Sequence, residues 1–543
     1  MSDALAAETL VCLVLVVMFL LSSVILQKLS EISILFRLVH ESGICILLGI
    51  LSGLIFTLAS GSTPSKFETS LFFHFMLPFL IFGQGYNMKR RRFFRNIGVI
   101  ILNGVVGTLI NFILISACAW GFSNTSTIQD ELSSVNTFTL KDSLILGAVL
   151  SSTETVVTLS ILRENKTPRL NSIMFGEFII GTAISIILIN TISDSDFDEF
   201  TVVNFFLFIG VFLYNLVLSV VLGLILGFLS SFMTKNLIQI KNNPSKEVAL
   251  QFYVGWTGYL IAAILDCSGI ITILITAIIS SHYAYYNMNP DSRIVVSDTF
   301  YLLGDGTRAL IFAYLGLTAF SYDFGDISFL FMFLMLLAVL VCRFATVFGL
   351  AALRHFANKK HRFDFKDCAI VWVGGLFRGT IAFALIISID IENKEMLEVT
   401  VLYIVIFSML VYGAILPWWV LFVSPKETII ENHSILEAVA DGDYRKSYFG
   451  NHKVTLLLAE DFKRKRNWVH RAWRDFDSKY LKPLLINKES LEAQKKLKEE
   501  LERKANPEEA EIEIEDSKHM ALLKEKTMEF EESKYEHNPL EDD

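Results

Sequence analysis

Apolar runs of about 18 or more residues recur through most of this chain, and a run of that length is what an α-helix needs to cross a bilayer. About thirteen such spans begin near Thr9, Gly43, Thr69, Ile97, Ser143, Leu170, Val203, Val248, Gly269, Asp298, Ile327, Cys368 and Met396. Lipid offers the backbone no hydrogen-bond partner, so spans of this kind must be helices. The expectation is an all-α membrane protein, with about 13 transmembrane helices in residues 1–424 and an extramembrane tail in 425–543. The composition agrees: 53% hydrophobic, 19% charged, with mean hydropathy +0.51. The first run lacks a basic leader and a cleavage site, so it reads as a membrane helix and not as a removed signal.

Loop charge sets the expected orientation, because cytoplasmic loops carry excess Lys and Arg. The loops "NMKRRRFFR", "RENKTPR", "KNLIQIKNNPSK" and "RHFANKKHRFDFK" all fall on one side, whereas "SNTSTIQDEL", "SDSDFDEF" and "SYDFGD" alternate with them. This puts the N-terminus outside and the tail in the cytosol or its equivalent. The net charge of −9 is concentrated in the tail and gives no sign of nucleic-acid binding. The six cysteines lie in apolar segments without metal spacing. No nucleophile elbow, P-loop or metal-spaced histidine set is present, so an enzyme is not expected and no cofactor is implied.

Ionisable residues inside the spans are informative, since each costs about 2.5–3.5 kcal/mol at mid-bilayer. They are Glu41, Glu154, Glu177, Asp266, Asp305, Arg308, Arg343 and Arg378. Two spans also carry small polar clusters, "LSSTETVVT" (Leu150 to Thr158) and "GGLFRGT" (Gly374 to Thr380). Interrupted helices in corresponding halves of a chain point to an inverted-repeat transporter with its site at the midplane. Close helix packing through small residues explains the same clusters equally well.

The ordered set "FFHFMLPFLIFGQGY", "SSTETVVTLSILRENKTPRL", "FGE", "EVALQFYVGWTGYLIAAILDCSGIIT", "SHY", "IFAYLGL" and "GGLFRGTIAFAL" resembles the organellar and vacuolar Na+(K+)/H+ exchangers over roughly residues 40 to 420. The tail segment "NWVHRAWRDFDSKYLKPLL" looks like that of the endosomal members. The resemblance implies an inverted-repeat antiporter fold with a broken-helix core domain and a dimerisation domain, and a homodimer in an endosomal or vacuolar membrane. A subunit of a larger complex, as in the mitochondrial inner membrane, is the other placement.

This chain departs from the family pattern where exchange chemistry is carried. The family's Asn-Asp pair is Gly181-Thr182, its Thr-Asp is Thr153-Glu154, one expected Glu is Arg308, another is Ala263, and a double proline is Pro78-Phe79. Thr153, Glu177, Asp266, Arg343 and Arg378 remain. An electroneutral exchanger needs a carboxylate that takes either a proton or a cation. A threonine hydroxyl cannot titrate in that way, and an arginine stays charged.

Two readings stand. In the first, Thr153, Glu154, Glu177, Gly181 and Thr182 are remnants of an ion site that no longer transports, and the protein is a structural or accessory subunit. In the second, Glu154, one methylene longer than the usual aspartate, is a relocated carboxylate and Na+ or K+ still exchanges for H+. On the first reading Arg308 is expected to pair with Asp305 and to point also toward Glu154, forming a bridge that occupies the cation site. In the tail, four basic residues, Lys463 to Arg466, precede Trp468 and Trp473, so residues 460–485 read as an amphipathic segment for an anionic lipid surface or a partner. Residues 488–543 read as a charged helix with an acidic end.

Overall fold

A computed structural model describes residues 17, 21, 41–60, 69–88, 90–125, 138–162, 168–193, 202–237, 243–322, 328–357, 365–389, 391, 393–423, 473, 475–488 and 491–492. Of the span expected from Thr9, only residues 17 and 21 are among them. The protein divides into two units, Met1–Ile429 and Ile430–Asp543.

Every regular element among the described residues is helical. In chain order the first unit contains α1 (Glu41–Ser60), α2 (69–86), α3 (Ile97–Ser123), α4 (Leu140–Ser151), α5 (Val156–Ile161), α6 (Pro168–Ser193) and α7 (Val202–Asn236). It continues with α8 (Pro244–Ile264), α9 (Gly269–Asn287), α10 (Pro290–Thr318), α11 (Phe329–Ala357), α12 (Phe365–Gly374), α13 (Thr380–Ser388) and α14 (394–423). Each span expected from Gly43 onward meets one of these helices or a consecutive pair. Among the described residues, six helices are long and apolar enough to cross a membrane by length and composition: Ile97–Ser123, Arg169–Ser193, Ile209–Asn236, Gly269–Asn287, Phe329–His355 and Lys394–Val420.

Local chemistry sets the helix starts. Asn243 precedes Pro244 and its side chain accepts from the Lys246 amide, so α8 opens on a cap followed by a proline that needs no amide partner. Thr139 and Asp142 form a reciprocal capping box at α4. Between α8 and α9 the chain turns through Asp266 at φ 52°. Asp266 was expected inside a span; the structure places it exposed in this turn, where a short polar side chain tolerates the left-handed backbone.

Small residues let the helices approach closely. Ser219, Gly223 and Gly227 recur every fourth residue on α7 and lie against α9. There the Thr272 and Thr276 hydroxyls donate to the Ser219 and Gly223 carbonyls at 3.2 Å. A tight crossing joins α1 and α10: a Cβ on Gly49 would overlap the Ala313 carbonyl oxygen, and one on Gly316 would overlap that of Ile46. Both α4/α5 and α12/α13 are helix pairs separated by non-helical backbone, at residues 152–155 and 375–379. Gly316→Val is expected to force α1 and α10 apart and cost roughly 1–3 kcal/mol. Thermal unfolding of the purified protein checks this, and an unchanged midpoint would show that the crossing is not constrained in this way.

Candidate functional site

The two interruptions form because their own side chains and glycines satisfy or free the backbone. At the end of α4, the Ser151 and Ser152 hydroxyls donate to the Ala148 and Val149 carbonyls at 2.8 Å, competing with continued helix. The chain then leaves the helix through Thr153 and Glu154, and the Glu154 amide donates to the Phe377 carbonyl at 3.0 Å. That bond ties the first break to the second. The Thr158 hydroxyl donates to the Gly374 carbonyl at 2.8 Å and makes a further link.

The glycines of "GGLFRG" are spaced for what they face. A Cβ on Gly374 would meet Thr158 Cγ2 at 2.7 Å and Met174 Cε at 2.9 Å. At Gly375 it would overlap the Arg343 guanidinium, and at Gly379 it would lie 2.5 Å from Glu154 Oε2. The glycine pattern therefore makes room for one buried arginine and one buried carboxylate. Glu154 is 3% exposed, with its carboxylate beside the residue that precedes α13. A helix N-terminus favours a negative charge at that place.

Arg343 on α11 and Glu177 on α6 form a buried ion pair, and Arg343 Nη2 also lies 3.5 Å from the Val371 carbonyl. Arg378 is fully buried in the second break. Its Nη1 donates to the Gly375 and Phe377 carbonyls, each at 3.0 Å, and its amide donates to the Ser408 hydroxyl at 3.1 Å. The Phe377 carbonyl thus accepts from both Glu154 and Arg378.

Gly181 and Thr182 are buried on α6, the helix that also carries Glu177. A Cβ at Gly181 would lie 2.9 Å from Thr108 Oγ1, so a larger side chain here would displace Thr108. The Thr182 hydroxyl makes no hydrogen bond within the described residues. One turn farther on, Ser185 shares a 2.9 Å hydrogen bond with Ser151 and holds α6 to α4.

The expected charge network divides. Thr153, Glu154 and Arg378 meet at the breaks, and Glu177 with Arg343 brace α6 against α11. Arg308 and Asp305 pair with each other on α10 at 2.7 Å, with side chains 25% and 32% exposed. The bridge expected from Arg308 to Glu154 is not formed. A carboxylate one turn away on the same helix takes the guanidinium without leaving that partly exposed face. Asp266 stands apart in its exposed turn.

Sequence reasoning missed three buried carboxylates near span ends. Asp142 accepts from Asn393 Nδ2 at 2.8 Å as well as from the Thr139 amide. Glu398 accepts from the Tyr322 hydroxyl at 2.9 Å. Burial, and then the Glu398 charge, push the Tyr322 phenol upward, so it remains a donor. Glu247 is buried on α8. The Thr139-x-x-Asp142 capping pattern was the one signal that could have found any of them.

Comparison with known proteins shows the family and the fold. The family described as "Sodium/hydrogen exchanger, transmembrane" matches residues 13–422. "Sodium/hydrogen exchanger 1" of Arabidopsis thaliana is 29% identical over 505 residues, covering 88% of this chain and 92% of that protein. "Sodium/hydrogen exchanger 9" of Equus caballus is 28% identical, covering 78% of this chain and 64% of the other. The sodium proton antiporter MjNhaP1 of Methanocaldococcus jannaschii superposes with a TM-score of 0.57 at 17% identity, over 78% of this chain and 99% of that one, which shows a shared fold.

Breaking the buried pair is expected to cost more than removing it. Arg343→Met should destabilise the purified protein by about 3–5 kcal/mol, because Glu177 is left buried without its cation. Replacing both residues with methionine should recover most of that loss. Thermal unfolding of the two single variants and the double variant checks the cycle, and additive losses would remove the pairing argument.

Proposed function

Because the chain belongs to the sodium/hydrogen exchanger family, we propose that it is an exchanger-type membrane protein whose cation site no longer exchanges, serving as a structural or accessory subunit of a membrane assembly. The carrying observation is the pair Gly181-Thr182, buried on α6 beside the broken-helix region and offering no carboxylate. Proton-coupled exchange needs one group that binds H+ and cation alternately. Glu177 is already engaged in a buried ion pair with Arg343 on α11, so it is not an open carboxylate at the crossing. Arg308 does not plug the site, since it pairs with Asp305 on α10, so the reading rests on the missing titratable group and not on an arginine standing in the cation's place.

A second reading is favoured by one specific observation. The Glu154 carboxylate lies within the crossing, against Gly379 at the start of α13, where a relocated carboxylate would act. On this reading the protein remains an Na+ or K+/H+ antiporter. In both, the proposed setting is an organelle membrane, the N-terminus lies outside, the tail is cytosolic, and the protein works as a homodimer or within a larger complex.

Proteoliposomes holding a pH-sensitive dye separate the two readings. Sodium or potassium pulses are expected to give no proton flux above empty liposomes. A saturable, cation-dependent signal would overturn the non-transporting reading. If Glu154→Gln abolished that signal without changing the unfolding midpoint, the relocated-carboxylate reading would stand in its place.

A further inference from the structure

The second unit contains a helix, α15 (475–485), with Trp473 helical just before it. Trp473, Phe476, Tyr480 and Leu484 follow a spacing of three, four and four residues, which places them along one stripe of a helix. They are exposed by 57%, 48%, 55% and 58%. The rings form a run, Trp473 to Phe476 at 6.0 Å and Phe476 to Tyr480 at 5.3 Å between centroids. The helix is nonetheless held, since Asp477, Leu485 and Ile486 are buried and Lys482 Nζ lies 3.6 Å from Asp477 Oδ2. An ordered helix that buries another side and presents a row of large aromatic rings has a surface suited to docking.

Charge identifies the occupant. Between Lys463 and Lys482 the sequence carries eight Lys or Arg against two Asp, in a chain whose net charge is −9. Lys479 Nζ lies 5.3 Å over the Tyr480 ring, so cationic and aromatic groups share one edge of the stripe. Tryptophan and tyrosine settle at the headgroup level, with the ring among acyl chains and the polar atom in water. Basic side chains beside them meet anionic headgroups. The segment also follows the membrane unit in the same chain, so a bilayer is within its reach. We infer that the Trp473–Phe476–Tyr480 face docks on an anionic lipid bilayer surface.

The test uses the full-length protein in nanodiscs, with cysteine placed in turn at Phe476, Tyr480 and Ser478 and labelled with an environment-sensitive fluorophore. Protein without an added cysteine is the blank. In discs containing phosphatidylserine, labels at 476 and 480 are expected to be quenched about twofold more by a nitroxide at shallow lipid depth than the label at 478. They should also be shielded from aqueous iodide. High salt or pure phosphatidylcholine should reverse both effects. Iodide access at 476 and 480 equal to that at 478 would overturn the proposal. Shielding without lipid quenching would overturn it in favour of a protein partner or a second copy, and equal lipid quenching in pure phosphatidylcholine would overturn the anionic assignment.

Discussion

An amide or carbonyl that reaches the middle of a bilayer without a partner costs several kcal/mol, so a chain can interrupt a membrane helix only where the protein supplies the missing bonds. The crossing of the two interrupted spans meets this condition with few groups. The Phe377 carbonyl accepts from the Glu154 amide and from Arg378, and the Gly374 carbonyl accepts from Thr158. The serines that end α4 take up its last carbonyls. The placement of Glu154, Arg378 and the glycines between them follows from these bonds.

Charge is handled in three ways. Arg343 and Glu177 neutralise each other in full burial and join α6 to α11. Arg378 is held largely by backbone carbonyls of its own break. Arg308 is answered by Asp305 on the partly exposed face of α10. The Arg308 charge is therefore compensated locally and leaves the core braces in place. Thr182 carries no titratable group, and the acid of α6, Glu177, is taken by Arg343, which directs attention to residue 182.

Much of the site was readable before any coordinates. The Ser/Thr and Gly clusters marked both interruptions, because hydroxyls that bond to the backbone and residues without a Cβ are what end helices inside apolar runs. Glu154, Glu177, Arg343 and Arg378 stood out because charge inside a span is costly. Asp142, Glu247 and Glu398 did not, since a carboxylate near a span end looks like an ordinary boundary residue. Their burial depends on neighbours such as Asn393 and Tyr322, far away in sequence.

The sequence by itself determined the all-helical membrane class, the positions of most spans, and the absence of a titratable group at Gly181-Thr182. Those properties reside in run length and residue type, which are local. Only the tertiary structure decided which charges meet: Arg343 with Glu177 across 166 residues, Arg308 with Asp305 and not Glu154, and Asp266 in an exposed turn. Pairing depends on helix rotation and on the space left by glycines on facing backbones, and neither is written in the order of residues along one helix.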